Sequence, residues 1–127
     1  MDWRSLDEVS YSYQNMFRGV GQPMRLSMQP LSRVIAVDGS PVVRRAVNRL
    51  WINPLANSMN HDQRGQNALH ADGRVVFITS PVLQNGDNIW LPRLFEQAIA
   101  GRSKPTHADP IDGTEIPAGP DDEFVGP

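Results

Sequence analysis

NALHADGRVVFITS, residues 67–80, sets two short apolar runs on either side of Asp72-Gly73. The second run is rich in β-branched residues, and Asp-Gly between two strand-like runs is a strong short-range hairpin signal. A two-residue type I′ turn at Asp72-Gly73 predicts four facing pairs: Ala71 with Arg74, His70 with Val75, Leu69 with Val76, and Ala68 with Phe77. Leu69, Val76 and Ile78 then share one face, and Ala68, His70, Val75 and Phe77 the other. Both faces are partly apolar, so the hairpin is expected inside a larger sheet or covered on both sides. A lone two-stranded hairpin would be marginal in water.

Working outward, Val9-Ser10-Tyr11-Ser12-Tyr13 alternates with period two and reads as a half-buried strand. Arg33-Val34-Ile35-Ala36-Val37 is a compact apolar run closed by the turn residues Asp38-Gly39-Ser40-Pro41. From Val42 to Trp51 the period becomes helical. Val43, Ala46, Val47, Leu50 and Trp51 recur on one side, with Ser40 and Pro41 suited to N-cap and N1 and Pro54 limiting the far end. Asn88-Ile89-Trp90-Leu91 is expected to form a final strand after the turn at Gln84–Asp87, and Leu94–Ala100 one further helical turn. Residues 1–8 are polar and expected to fray, and Phe17–Pro30, with two glycines and two prolines, is expected to be a loop.

The chain has 127 residues, a net charge of −2, 39% hydrophobic residues, 10 glycines and 11 prolines. That fits a single small domain with a non-core segment attached. Residues 1–100 carry ten arginines and eight acids, whereas residues 101–127 carry six acids, Arg102 and Lys104. Nine of those last 27 residues are Gly or Pro. The expectation is therefore a folded domain over 1–100 and a disordered acidic Pro/Gly-rich tail over 101–127. Scattered arginines without interleaved aromatics give no nucleic-acid surface. There is no cysteine, which excludes disulfides and thiolate metal sites. No apolar run reaches the roughly 20 residues that cross a bilayer, and the first residues do not form a signal peptide.

His61, His70 and Asp72 are the residues with the most chemical potential, as His and carboxylate ligands for a cation. No standard ligand spacing supports that use. The structural reading puts Asp72 in the turn for its geometry and His70 on a packed strand face with one ring nitrogen hydrogen-bonded. No Gly-x-Ser-x-Gly elbow occurs, and Gly19–Pro23 lacks the strand-turn-helix setting and lysine of a phosphate loop. The acids Asp7-Glu8 and Asp121-Asp122-Glu123 fall in segments expected to be mobile, where no fixed acid–base geometry can be held. No catalytic residue, metal ligand or cofactor is assigned.

A resemblance enters with the order of short motifs. Asn57-Ser58-Met59-Asn60-His61, Gly65-Gln66-Asn67-Ala68-Leu69, Ala71-Asp72-Gly73-Arg74-Val75 with Phe77, Thr79 and Pro81, and Asp87-Asn88-Ile89 follow one another. This order resembles the C-terminal part of bacterial prepilin-like families, similar to type IV pilins and type II secretion pseudopilins, that carry a His…Asp-Gly motif. The match is good over residues 57–90. It is looser at Val9–Asn15 and at Ala36-Val37-Asp38, and Asp122-Glu123-Phe124-Val125 is similar to the acidic-apolar terminus of these families. Ten residues separate His61 from Asp72 where the family has nine, His70 replaces an aromatic, and Arg74 often a histidine. The Arg-rich segment 42–51 resembles an insertion. The family's basic leader and apolar anchor helix are not in the sequence, so the expectation is a head portion alone or a relative that has lost its anchor.

The resemblance implies a pilin-like head: an α+β domain with an antiparallel sheet of about four short strands and one short helix. It implies a non-enzymatic structural or interaction role, with a protein partner or self-assembly, and an extracytoplasmic place if an anchor or signal is encoded upstream. The motif residues it marks are Asn60, His61, Gly65, Gln66, Asn67, His70, Asp72 and Gly73. An uncovered apolar sheet face is expected around Tyr11, Tyr13, Leu69, Val76 and Ile78. The alternative is a small metal-binding protein or metal-dependent hydrolase using His61, His70 and Asp72.

Overall fold

The computed structural model describes residues 10–14, 30–48, 50, 52–93, 96, 115, 117 and 122–126. The expectations for residues 1–8, for the loop through residue 29, for Trp51, and for most of 94–100 and 101–121 lie outside them. Strands β1 (Tyr11–Gln14) and β2 (Val34–Asp38), helix α1 (Pro41–Val47), and strands β3 (Gln66–His70), β4 (Val75–Ile78) and β5 (Val125–Gly126) follow in chain order. A 3₁₀ turn at Met59–His61 lies between α1 and β3. The strands form one sheet in the order β4-β3-β2-β1-β5, every neighbouring pair antiparallel. This is the small α+β fold read from the sequence, with five strands instead of four. Among the described residues no helix is long and apolar enough to cross a membrane.

In β1 the alternation is used in the direction opposite to hydropathy. Ser12 and Gln14 are buried, while Tyr11 and Tyr13 face solvent. The inward serine has a specific partner, since its Oγ accepts the Ser40 N–H at 2.8 Å. In β2, Val34 and Val37 are both buried although three positions apart. Strict alternation would put them on opposite faces. The register shifts between Val34 and Ala36, so that Val34 pairs with His70 but Val37 with Ala68. That bulge turns both valines inward.

The hairpin forms, but one residue out of the predicted register. Leu69 pairs with Val75, Ala68 with Val76, Asn67 with Phe77 and Gln66 with Ile78. The loop is Ala71-Asp72-Gly73, closed by His70 N–H to the Arg74 carbonyl and Gly73 N–H to the His70 carbonyl, both at 2.9 Å. Gly73 has φ +84°, and Asp72 is not among the described non-glycine residues with positive φ. This corrects the type I′ turn, which needs both central residues left-handed; a three-residue loop asks that only of glycine. Asp72 instead accepts the Arg74 N–H on its carboxylate at 2.9 Å. The longer loop also frees two amides for tertiary bonds, Ala71 N–H to the Arg33 carbonyl and Asp72 N–H to the Leu31 carbonyl. A one-residue slip exchanges faces. Ala68, Val76 and Ile78 therefore face inward, and Leu69, Val75 and Phe77 outward.

Helix α1 starts as expected, with the Ser40 hydroxyl accepting the Val43 N–H and Pro41 at the first position. It ends at Val47, short of Trp51. The Asn48 side chain turns back to the Arg44 carbonyl at 2.8 Å and Leu50 N–H bonds the Arg45 carbonyl, so the chain leaves the helix and Leu50 is exposed. Val42, Val43 and Ala46 pack with Val34, Val37, Ala68, Ile52, Ile89–Leu91, Phe124 and Val125 as the core on the inner sheet face.

Two further expectations are corrected. Asn88–Leu91 makes only a single bridge, Val82 with Asn88, and then turns. The Asn88 carboxamide captures the Trp90 N–H at 3.0 Å and bonds the Pro54 carbonyl at 2.8 Å, taking the local backbone away from a ladder. The segment is a core plug, with Ile89, Trp90 and Leu91 fully buried. The tail is not disordered at its end: Val125–Gly126 is an edge strand on β1, and Phe124 is fully buried.

Candidate functional site

Five of the motif residues, Asn60, His61, Gly65, Gln66 and Asn67, gather at one end of β2 and β3 around the Asp38 carboxylate, while His70, Asp72 and Gly73 lie at the hairpin tip. Asp38 Oδ2 accepts the Asn67 N–H at 2.7 Å and lies 3.0 Å from His61 Nε2, while Oδ1 accepts from Asn60 Nδ2 at 3.3 Å. Asn60 Nδ2 also reaches the Ser10 carbonyl. The His61 Nε2 stands 2.8 Å from Asn67 Nδ2 as well, so it serves Asp38 as a donor or takes an Asn67 N–H as an acceptor. The 3₁₀ turn that carries Asn60 and His61 is capped by Ser58, whose hydroxyl accepts the Asn60 N–H and donates to the Gly39 carbonyl. Gln66 Oε1 in turn accepts the Ser58 N–H. Asn57 closes the group, its Nδ2 bonding the carbonyls of Gln63 and Thr79.

Gly65 is where this turn meets the hairpin. A Cβ there would run into the Ile78 carbonyl and stand 2.7 Å from ring carbons of Phe77. The His61 ring lies edge-on to Phe77, centroids 5.6 Å apart and planes at 81°. A shallow depression of about 420 Å³ opens between Asn60, His61, Asp62, Arg64 and Phe77.

His61, His70 and Asp72 are not brought together. His61 turns to Asp38, Asp72 to Arg74, and His70 Nδ1 lies 2.6 Å from the Ser32 carbonyl. A carbonyl only accepts, which makes Nδ1 the protonated nitrogen. Among the described residues no group of three or more His, Asp or Glu side chains is arranged to hold a metal ion.

A second polar cluster holds the C-terminal strand, and it corrects the expectation that Asp122 and Glu123 are mobile. Asp87 Oδ2 accepts the Glu123 N–H at 2.6 Å, Asp122 Oδ2 accepts the Arg93 N–H at 3.0 Å, and Glu123 Oε2 accepts the Val34 N–H at 3.1 Å. Arg33, buried in the core, donates to the Asp122 carbonyl. Burial, opposed by hydrogen bonding and by Arg93, pushes Asp87 above the usual carboxylate range. Glu123 and Glu96 are raised chiefly by burial as well. The sequence signal for this clip was the acidic-apolar run Asp122–Val125, masked by the Gly/Pro-rich composition around it.

The outer sheet face carries the remaining feature. The pairings line up Val75, Leu69, Ala36 and Tyr13 in one row across four strands. Phe77 with Asn67, and Asp38 with Tyr11, stand beside it, Asp38 covered by the 3₁₀ turn. Tyr13 is 57% exposed, Tyr11 54%, Val75 62% and Phe77 48%. The expected apolar face is thus present through Tyr11, Tyr13 and Leu69, with Val75 and Phe77 in place of Val76 and Ile78. No family model matches the chain, and comparisons with curated proteins and with solved structures give no match.

Proposed function

We propose that the chain is a non-enzymatic, pseudopilin-like structural module that acts through the outer face of its sheet. The observation that carries this reading is the asymmetry of the two faces. The inner face is filled by α1, the Ile89–Leu91 plug and the C-terminal segment. The outer face leaves Val75, Phe77, Tyr11 and Tyr13 exposed around the half-buried Leu69 and Ala36, and an apolar patch of this kind marks an interaction surface. The ordered motifs support the same reading from the other side. Ser58, Asn60, His61, Gln66 and Asn67 bond one another and Asp38, and Asn57 bonds the Gln63 and Thr79 carbonyls, holding the turn against the sheet. The metal-dependent alternative loses its geometric basis, because its three residues face separate partners.

The test is site-specific photocrosslinking in the native host, with the full chain labelled at Tyr13 or Leu69. The expected capture is a protein bearing a pilin-like apolar anchor helix. Leu55, exposed on a turn outside that face, is the control position. Equal capture from Leu55, or capture of nothing from Tyr13 and Leu69, overturns the reading.

A further inference from the structure

We propose that β4 is a self-pairing edge, through which two copies of this chain join antiparallel about a two-fold axis at Val76. This surface is the backbone rim of the sheet, which shares Val75 and Phe77 with the outer face, and the inference does not depend on what binds the rest of that face.

β4 closes one end of the strand order and, among the described residues, pairs only with β3. Its residues, Val75-Val76-Phe77-Ile78, include no proline, lysine or inward charge. Those are the usual devices by which natural edges avoid pairing. The opposite edge, β5, is different: two residues long and buried. β4 is also under-covered on both faces, with Val75 and Phe77 exposed and Val76 and Ile78 half-buried, whereas Gln66 and Ala68 on β3 are buried.

The hydrogen-bond phase fixes which groups are offered. The pair of His70 with Arg74 is bonded across the ladder, and bonded pairs alternate in an antiparallel hairpin. Val76 and Ile78 therefore bond β3, and Val75 and Phe77 aim their N–H and C=O groups away from the sheet. The carbonyl of Thr79 is already bonded to Asn57 Nδ2, which ends the free rim at Phe77. Only one two-fold register then satisfies both outward residues: Val75 opposite Phe77 of the second copy, and Phe77 opposite its Val75. Val75 packs beside Phe77 on the outer side, and the two Val76 side chains meet on the inner side.

Charge selects a second copy as the occupant. Asp62 and Arg64 lie at the Phe77 end of the rim, lining the depression beside that ring. Asp72 and Arg74 flank the Val75 end at the hairpin tip. Each acid is already beside its own arginine, at 3.3 Å and 3.7 Å. A two-fold axis through Val76 lays one Asp-x-Arg end against the other, so that Arg74 meets Asp62 of the second copy and Arg64 meets its Asp72. The rim is complementary to itself in both shape and sign.

Sedimentation velocity of the full chain across the micromolar range tests this, with amide exchange of Val75 and Phe77 measured at low and high concentration. The expected result is a reversible dimer in which both amides slow as concentration rises. Val75→Lys should raise the dimer dissociation constant by about tenfold or more while leaving the melting temperature in place. Arg74→Asp should weaken the dimer, and adding Asp62→Arg should restore it, which a purely structural role for Arg74 would not produce. Tyr13→Lys, on the outer face at the far side of the sheet, should leave the dimer intact. A chain that stays monomeric throughout overturns the proposal, as does a dimer lost in Tyr13→Lys but kept in Val75→Lys. Exchange at Val75 and Phe77 that is indifferent to concentration overturns it too.

Discussion

At the scale of single residues, Gly65 and Asp38 hold the motif region together for opposite reasons, one by lacking a side chain and the other by the atoms it carries. A methyl group at position 65 would meet the Ile78 carbonyl and the Phe77 ring; the half-exposed ring can turn aside, but the carbonyl cannot withdraw without disturbing the hairpin pairing. Gly65→Ala should therefore cost about 1–3 kcal/mol, the usual penalty for forced overpacking. Thermal melts check this, and a variant as stable as the parent would show that the turn can shift. Asp38→Ala leaves the Asn67 N–H and the Asn60 and His61 side chains without their shared acceptor. A loss of about 1–3 kcal/mol is expected, read by melts and by release of the His61 ring in NMR spectra. His61 was legible as a special residue from its place in the motif. Its partner was not, because Asp38 lies 23 positions earlier and in sequence looks like any turn aspartate.

At the scale of elements, the C-terminal segment depends on burial of Phe124 and on a carboxylate clip. Phe124→Ala should destabilise by about 3–5 kcal/mol, the cost of emptying a packed aromatic site, and should release β5 from β1. Equal amide exchange of Val125 in parent and variant would sink that expectation. The clip has its own pH signature. Burial raises Asp87, Glu96 and Glu123 above their ordinary values, so the folded chain holds these protons more tightly than the unfolded chain. Their contribution is most favourable below the ordinary carboxylate range. It becomes less favourable as pH rises from there through the raised folded values. Asp87→Asn removes one of these charges while keeping an acceptor for the Glu123 N–H. The melting temperature of the parent relative to Asp87→Asn should accordingly improve on acidification from neutral pH towards the carboxylate range. No movement of that difference, or movement the other way, refutes the assignment. The strand periodicities of β1 to β4 and the Ser40-Pro41 helix start were readable locally. The β5 strand was not, since two residues carry no periodicity, its own bonds go to β1 and the Ile89 carbonyl, and the residues leading into it are held by Asp87, Arg93 and Arg33.

At the scale of the molecule, stability comes from one core on the inner face, and His61 and His70 stand outside it in hydrogen-bonded positions. Zinc addition or chelation should therefore leave the melting temperature unchanged. Calorimetry with and without EDTA, alongside elemental analysis, checks this, and a stoichiometric metal that raises the melting temperature would reinstate the His61, His70 and Asp72 alternative. Coupling between the two sheet faces should be weak, so outward substitutions such as Tyr13→Lys should change capture of the outer-face partner without changing the melt.

The sequence by itself determined the class of fold, the positions of four strands and the one helix start, because alternation, the Asp-Gly turn and N-cap chemistry act between residues close in the chain. Tertiary structure alone decided the hairpin register. The amides of Ala71 and Asp72 are claimed by the Leu31–Arg33 turn, and Ala68 is the inward residue opposite Val37. A one-residue slip costs little locally but exchanges every side chain between core and solvent. The same holds for the fate of the last residues, whose order comes from carboxylates, an arginine and a core pocket supplied by distant segments.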